Sequence, residues 1–178
     1  VPSVAARTIH SAALKQLLYF WPSVFGGRTP DLMTTKTGFL TEAINRAGLS
    51  DSIRATNREL MRDIASEIEW AKVSQVAPSD YVDEISKRMQ KPRVLPEQMV
   101  QIYTAYESVK KQELAIDFED VLLLCAAMLE EEREVRERVQ DQYRYFTIDE
   151  YQDVSPVQQR LINAWLGKRN DICVVGDP

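Results

Sequence analysis

Apolar positions recur every three to four residues along most of this chain, and short unbroken apolar runs interrupt that rhythm at a few places. Ala13, Leu14, Leu17 and Leu18 share one helical face, and Thr8 and Ser11 precede or open it as caps. Free N–H groups at such an end also suit a phosphate, although a cap without a ligand is the commoner case. Trp21-Pro22 is expected to end this helix, and Gly26, Gly27 and Pro30 mark a loop. From about residue 31 to 113 every segment predicts helix and none predicts a strand. Phe39, Leu40, Ala43, Ile44 and Ala47 form a stripe stopped by Gly48. Thr56 and Glu59 read as a capping box ahead of Leu60, Ile64, Ile68 and Ala71. A shorter helix is expected over Tyr81 to Met89, and Pro96 opens another whose face is Met99, Ile102, Tyr103, Tyr106 and Val109.

Beyond Asp117 the pattern changes. Val121 to Leu129 is apolar on every side, the mark of a buried helix, and its charged continuation from Glu130 to Gln140 reads as a solvated face held by Val135 and Val139. Tyr145, Phe146, Thr147 and Ile148 are aromatic or β-branched and predict a buried strand. Ser155-Pro156-Val157-Gln158 is a capping box, followed by the face Val157, Leu161, Ala164 and Trp165 and a stop at Gly167. Ile172 to Val175 predicts a second buried strand. Strand, helix and strand at this spacing imply a right-handed βαβ unit with parallel strands.

Each of these strands ends in acid. The first runs into Asp149-Glu150, with Asp153 close behind, and the second into Gly176-Asp177. Parallel strands finish at one sheet edge, which is where open α/β sheets bind ligands. One carboxylate there can hold magnesium, and the next can orient and deprotonate a water aimed at a γ-phosphate. A surface turn after a strand accounts equally well for the first stretch alone. Two acid-tipped parallel strands favour the functional reading.

Composition narrows the field. With 178 residues, 44% hydrophobic and 28% charged, the chain has the make-up of a soluble globular protein of one or two domains. No apolar run approaches the roughly 20 residues that span a bilayer, so no membrane partner is expected. A net charge of −5 argues against a dedicated nucleic-acid-binding domain and confines any DNA contact to a local patch. His10 is the only histidine, which excludes a histidine-rich metal site. Cys125 and Cys173 lie in apolar runs and are expected to be buried free thiols, as in a reducing cytoplasm. The chain starts at Val1 without Met and stops just after an apolar run, so a piece of something larger is expected.

Five segments together carry a resemblance. Ile148-Asp149-Glu150-Tyr151-Gln152-Asp153 resembles motif II of the UvrD/PcrA/Rep superfamily 1 DNA helicases, usually DE(F/Y)QD. Val174-Val175-Gly176-Asp177-Pro178 is similar to the start of their motif III, and Thr8-Ile9-His10-Ser11 to their TFHS element, with Ile9 where Phe is usual. Ile116-Asp117-Phe118-Glu119-Asp120-Val121-Leu122 resembles their (V/I)DFDDLL segment, and Ile68-Glu69-Trp70-Ala71-Lys72 their IxWAK segment. The order is the family's, and the five cover nearly the whole chain.

The resemblance implies an α/β fold: a partial RecA-like P-loop NTPase domain, with parallel strands and helices, carrying a mostly helical inserted subdomain. Residues 1–20 and 114–178 would form motor domain 1A, and residues 21–113 the 1B-like insert. It also implies an ATP-dependent 3′→5′ helicase acting on single-stranded DNA and on single-strand/duplex junctions, with DNA-repair proteins as partners and ATP and Mg2+ as cofactors. Asp149 would be the magnesium ligand and Glu150 the catalytic base, with Asp177 beside the nucleotide. Gln152 and Asp153 would relay between nucleotide and DNA, while Thr8, His10 and Ser11 lie along the DNA track. Ile9 offers no π-face for a base to stack on.

Gly-x-x-x-x-Gly-Lys-Ser/Thr occurs nowhere in the chain, so these residues alone are expected to be inactive. Three other readings compete. One is a RecB/AddA-like helicase-nuclease subunit, and another a non-catalytic DNA-binding or docking module derived from a helicase. The last is a two-metal nuclease site, which the other four segments disfavour.

Overall fold

The computed structural model describes residues 6–54 and 57–177. In chain order the elements are α1 (Ile9–Val24), β1 (Asp31–Leu32), α2 (Thr37–Arg46), α3 (Arg58–Val73), α4 (Tyr81–Ser86), α5 (Pro96–Gln112) and β2 (Ala115–Ile116). They continue with α6 (Phe118–Glu131), α7 (Arg133–Gln142), β3 (Phe146–Ile148), α8 (Pro156–Leu166) and β4 (Ile172–Val174). The chain forms two compact units, one of residues 1–29 with 118–178 and the other of residues 30–117. The sequence reading drew its seams at residues 20 and 113.

In the unit of residues 30–117 the apolar stripes close on one another. Leu40, Ala43 and Ile44 of α2, Ile64 and Ile68 of α3, and Met99, Ile102 and Tyr106 of α5 form one buried cluster, joined by Tyr81 and Ile85 of α4. Gly48 ends α2 as expected. Its φ of +70° lets its N–H reach Asn45 while the Leu49 N–H reaches Ile44, a Schellman arrangement that occupies two otherwise orphaned carbonyls. Thr56 lies outside the described residues, and α3 is capped instead by Asn57, whose side chain accepts from the Leu60 N–H at 3.1 Å. The expectation of helix alone is corrected here, because β1 and β2 pair in parallel over two residues each. Two-residue strands carry no periodicity for the sequence to show. The helix expected to reach Met89 also stops early, at Ser86, and Met89 is fully exposed.

In the other unit the all-apolar helix is central: α6 packs against both α1 and α8. Thr8 caps α1, accepting from the Ser11 N–H at 3.1 Å. Trp21-Pro22 does not end α1, which runs on to Val24 with Pro22 inside its last turn. A proline there forfeits one N–H bond, and the loss is tolerable where the helix is about to finish anyway. The charged stretch after α6 is a separate helix rather than a continuation, and it is anchored by buried Val135 and Val139 as expected. Ser155 and Gln158 complete the capping box of α8, and Gly167 (φ +63°) closes it.

The strands β3 and β4 are parallel, pairing Phe146 with Ile172, Thr147 with Cys173 and Ile148 with Val174. They are not buried as expected. Val174 and Val175 are about half exposed, Cys173 is exposed, and Tyr145 lies outside the strand, 81% exposed. The sheet is two strands wide among the described residues, so both of its edges are open. One face is covered where Phe146 stacks on Trp165, ring centroids 6.1 Å apart.

Cys125 is buried as expected, and burial pushes its thiol up to about 12. It donates to Gln16 Oε1, which also accepts the Trp165 indole N–H at 2.8 Å. Gln16 thus joins α1, α6 and α8 through a polar side chain among apolar ones. Gln16→Leu keeps the bulk but strands a buried indole donor, and should cost about 1–3 kcal/mol. An unchanged urea midpoint would show that the indole needs no protein partner.

Candidate active site

The pairing of β3 with β4 does not stop at the strand ends. The Val175 N–H donates to the Ile148 carbonyl at 2.8 Å, and the Tyr151 N–H donates to the Val175 carbonyl at 2.9 Å. These two bonds stitch the Asp149-Glu150 turn to the Gly176-Asp177 turn at one edge of the sheet. Asp149, Glu150, Gln152, Asp153 and Asp177 are all exposed to solvent there.

Asp149 occupies the first position past β3. One of its carboxylate oxygens, Oδ1, accepts the Glu150 N–H at 3.0 Å, which fixes the side chain. Its other oxygen has no hydrogen bond or ion pair among the described residues. An exposed, oriented carboxylate of this kind fits magnesium, which takes one or two protein carboxylates and fills its remaining positions with water and phosphate oxygens.

Glu150 adopts the left-handed conformation, φ 52° and ψ 45°. Such a backbone costs a non-glycine residue about 1–3 kcal/mol and concentrates at functional sites. Its consequence is geometric: the chain turns directly from the strand into the short 3-10 turn Tyr151–Asp153. The Asp153 N–H closes that turn on the Glu150 carbonyl at 2.9 Å, and the Tyr151 hydroxyl ties it to Gln159 of α8 at 2.5 Å. Gln152 reaches the Glu150 carboxylate at 2.5 Å and accepts the Asp177 N–H at 3.1 Å.

Thr8, His10 and Ser11 cluster at the opening of α1. Thr8 and Ser11 are exposed, whereas His10 is half-buried, its ring edge-on to Phe118 with centroids 6.4 Å apart. Burial lowers the His10 pKa, opposed by the nearby Glu119, so the imidazole is held toward its neutral form. No described contact joins this cluster to the acid-tipped strands. The structure therefore gathers the sequence-predicted residues into two groups rather than one.

Sequence reasoning passed over one charged constellation, in the unit of residues 30–117. Asp117 is fully buried and accepts from Lys72 Nζ at 2.7 and 2.8 Å, from Lys110 Nζ at 2.9 Å and from the Tyr106 hydroxyl at 3.1 Å. A signal was present. Lys72 stands four residues past Ile68 on the apolar face of α3, and Lys110 four past Tyr106 on that of α5; a lysine on such a face needs a buried partner.

Known proteins sharpen the identification. ATP-dependent DNA helicase UvrD2 of Mycobacterium tuberculosis (strain H37Rv) is 41% identical across 99% of this chain and 25% of its own length. ATP-dependent DNA helicase PcrA of Leuconostoc citreum is 30% identical over 68% of this chain and 16% of its own. ATP-dependent DNA helicase Rep of Escherichia coli K12 is 39% identical over 42% of this chain and 11% of its own. The chain spans a quarter or less of the length of these relatives. The family described as the UvrD/REP helicase N-terminal domain matches residues 2–178, and with its motif II acids standing at the tip of β3, this chain belongs to the UvrD/REP helicases.

Proposed function

We propose that this chain is part of the first motor domain of an ATP-driven 3′→5′ DNA helicase that tracks along single-stranded DNA and opens duplex at junctions in DNA repair. The observation that carries the reading is the stitched pair of parallel strands, which brings the Asp149-Glu150 and Gly176-Asp177 turns to one sheet edge. On this reading the unit of residues 1–29 and 118–178 belongs to the RecA-like motor, and the helical unit of residues 30–117 is its inserted subdomain. Two free cysteines accord with a reducing cytoplasm.

The geometry supports the residue roles that the resemblance implies. Asp149 would hold magnesium through its unengaged oxygen, and the ion, when bound, would supply positive charge to screen the phosphates. Glu150, held by Gln152, would accept a proton from the water that attacks the γ-phosphate. Asp177 flanks the nucleotide from the neighbouring turn. Gln152 and Asp153 would relay between the nucleotide and the DNA track, to which Thr8, His10 and Ser11 would belong. The 178 residues carry no phosphate loop, so by themselves they should show no ATP turnover.

The test is made in the full-length protein with Asp149→Ala. Loss of a direct ligand should weaken magnesium-nucleotide binding by at least about 10–100-fold, the range found for lost outer-shell partners, and turnover should fall with it. Nucleotide affinity measured by calorimetry with and without magnesium reports the first effect. If affinity and its magnesium dependence are unchanged, Asp149 is not the ligand and the reading fails at its centre.

A further inference from the structure

Gln152 occupies an unusual position between the two acid-bearing turns. Its Nε2 donates to Glu150 Oε2 at 2.5 Å while its Oε1 accepts the Asp177 N–H at 3.1 Å. The amide has one orientation that satisfies both partners, because a carboxylate only accepts and a backbone N–H only donates. Space for it is kept by Gly176. A Cβ built there would lie 2.3 Å from Gln152 Oε1 and 3.1 Å from the Tyr151 backbone nitrogen. No positive φ is recorded at Gly176, so the glycine serves close approach rather than backbone conformation.

We infer that Gln152 is a positioning residue that ties the Glu150 carboxylate to the Gly176-Asp177 turn, and that Gly176 is glycine to admit this tie. The inference rests on the reading of Glu150 as the base and adds what holds that base in place. A glutamate on an exposed turn has three side-chain torsions to fix. The left-handed backbone sets where the side chain starts, and the Gln152 amide sets where it ends. One carboxylate oxygen is engaged by the tie, and the other is left to take the proton. Because the far end of the tie is the Asp177 backbone, a displacement of the β4 turn changes how Glu150 is held.

The experiment compares Gln152→Ala, Gln152→Glu, Gly176→Ala and the pair Gln152→Ala/Gly176→Ala with Glu150→Gln in the full-length protein. Steady-state ATP hydrolysis is followed alongside the KM for ATP and the thermal midpoint. Gln152→Ala should lower kcat by up to roughly 10²-fold, the cost of a displaced catalytic group, with the KM for ATP little changed. Gly176→Ala should act through the same loss, so the pair should be no slower than the slower single variant. Gln152→Glu keeps the length of the side chain but replaces the amide donor with a second acceptor, so it should be no faster than Gln152→Ala. A residue with only a structural role would lower the thermal midpoint without lowering kcat at an unchanged KM. Parental kcat in both Gln152 variants overturns the inference, as do losses that multiply in the pair. Should Gly176→Ala not fold, the Gln152 variants decide alone. Slow Glu150→Gln beside normal Gln152 variants sinks the tie but spares the base; parental Glu150→Gln sinks both.

Discussion

Glu150→Gln in the full-length protein is expected to lower DNA-stimulated ATP turnover by roughly 10²–10⁴-fold, the usual contribution of a positioned general base. Glutamine preserves the size of the side chain and an acceptor oxygen for the Gln152 amide, and it loses only the capacity to take a proton. Nucleotide and DNA affinity should therefore stay near the parental values. Asp149→Ala differs in this respect, since it is expected to damage binding and turnover together. Folding stability should hardly change, because Glu150 is solvent-exposed and its left-handed backbone is imposed on either residue alike. Steady-state hydrolysis beside equilibrium nucleotide binding separates these effects. Turnover near the parental rate would return the acid pair to ordinary strand-end charge.

What the sequence disclosed about this molecule tracks the length over which each signal repeats. Helix α5 was legible because Met99, Ile102, Tyr103, Tyr106 and Val109 repeat over several turns and Pro96 marks the start. The Ser155 capping box was legible because its chemistry is local. Strands β1 and β2 were not, since two residues hold no period. The order of β3 and β4 and their parallel sense came from spacing alone, while their burial was misjudged. Apolar content was taken as burial, yet Val174, Val175 and Cys173 sit on a sheet with two open edges among the described residues. At the candidate site the residue types could be named from sequence, but the left-handed turn at Glu150 and the reach of Gln152 to the Asp177 backbone could not. Such bonds span sequence distances that no pattern encodes. The Asp117 constellation is an intermediate case, because Lys72 announces the need for a partner without saying which.

That constellation supports the largest stability effect. Asp117→Ala should destabilise the unit of residues 30–117 by about 3–5 kcal/mol, the usual cost of breaking a buried ion pair from one side. Lys72 and Lys110 are each only 2% exposed, and without Asp117 they keep Glu107, which is partly open to solvent, at 3.2 and 2.9 Å. Asp117→Asn should lie between Ala and the parent, because it retains an acceptor for Tyr106 but surrenders the charge. Burial alone would raise the Asp117 pKa; the ammonium groups of Lys72 and Lys110 outweigh it and hold the carboxyl well below the usual carboxylate range. The sign of the pH effect follows. A carboxyl whose folded pKa is depressed stabilises the fold fully above its unfolded value of about 3.9, and that stability drains away as pH falls below this toward the folded value. Acid should thus loosen the parental unit more steeply than the Asp117→Asn variant, which has no proton to take up at this position. Amide hydrogen exchange resolved along the chain reads the effect in residues 30–117 separately from the rest, at neutral pH and at about pH 2.5, well below the unfolded value. Equal acid sensitivity in parent and Asp117→Asn, or a loss below about 1 kcal/mol for Asp117→Ala, would mean that water reaches the two lysines when the carboxylate is gone.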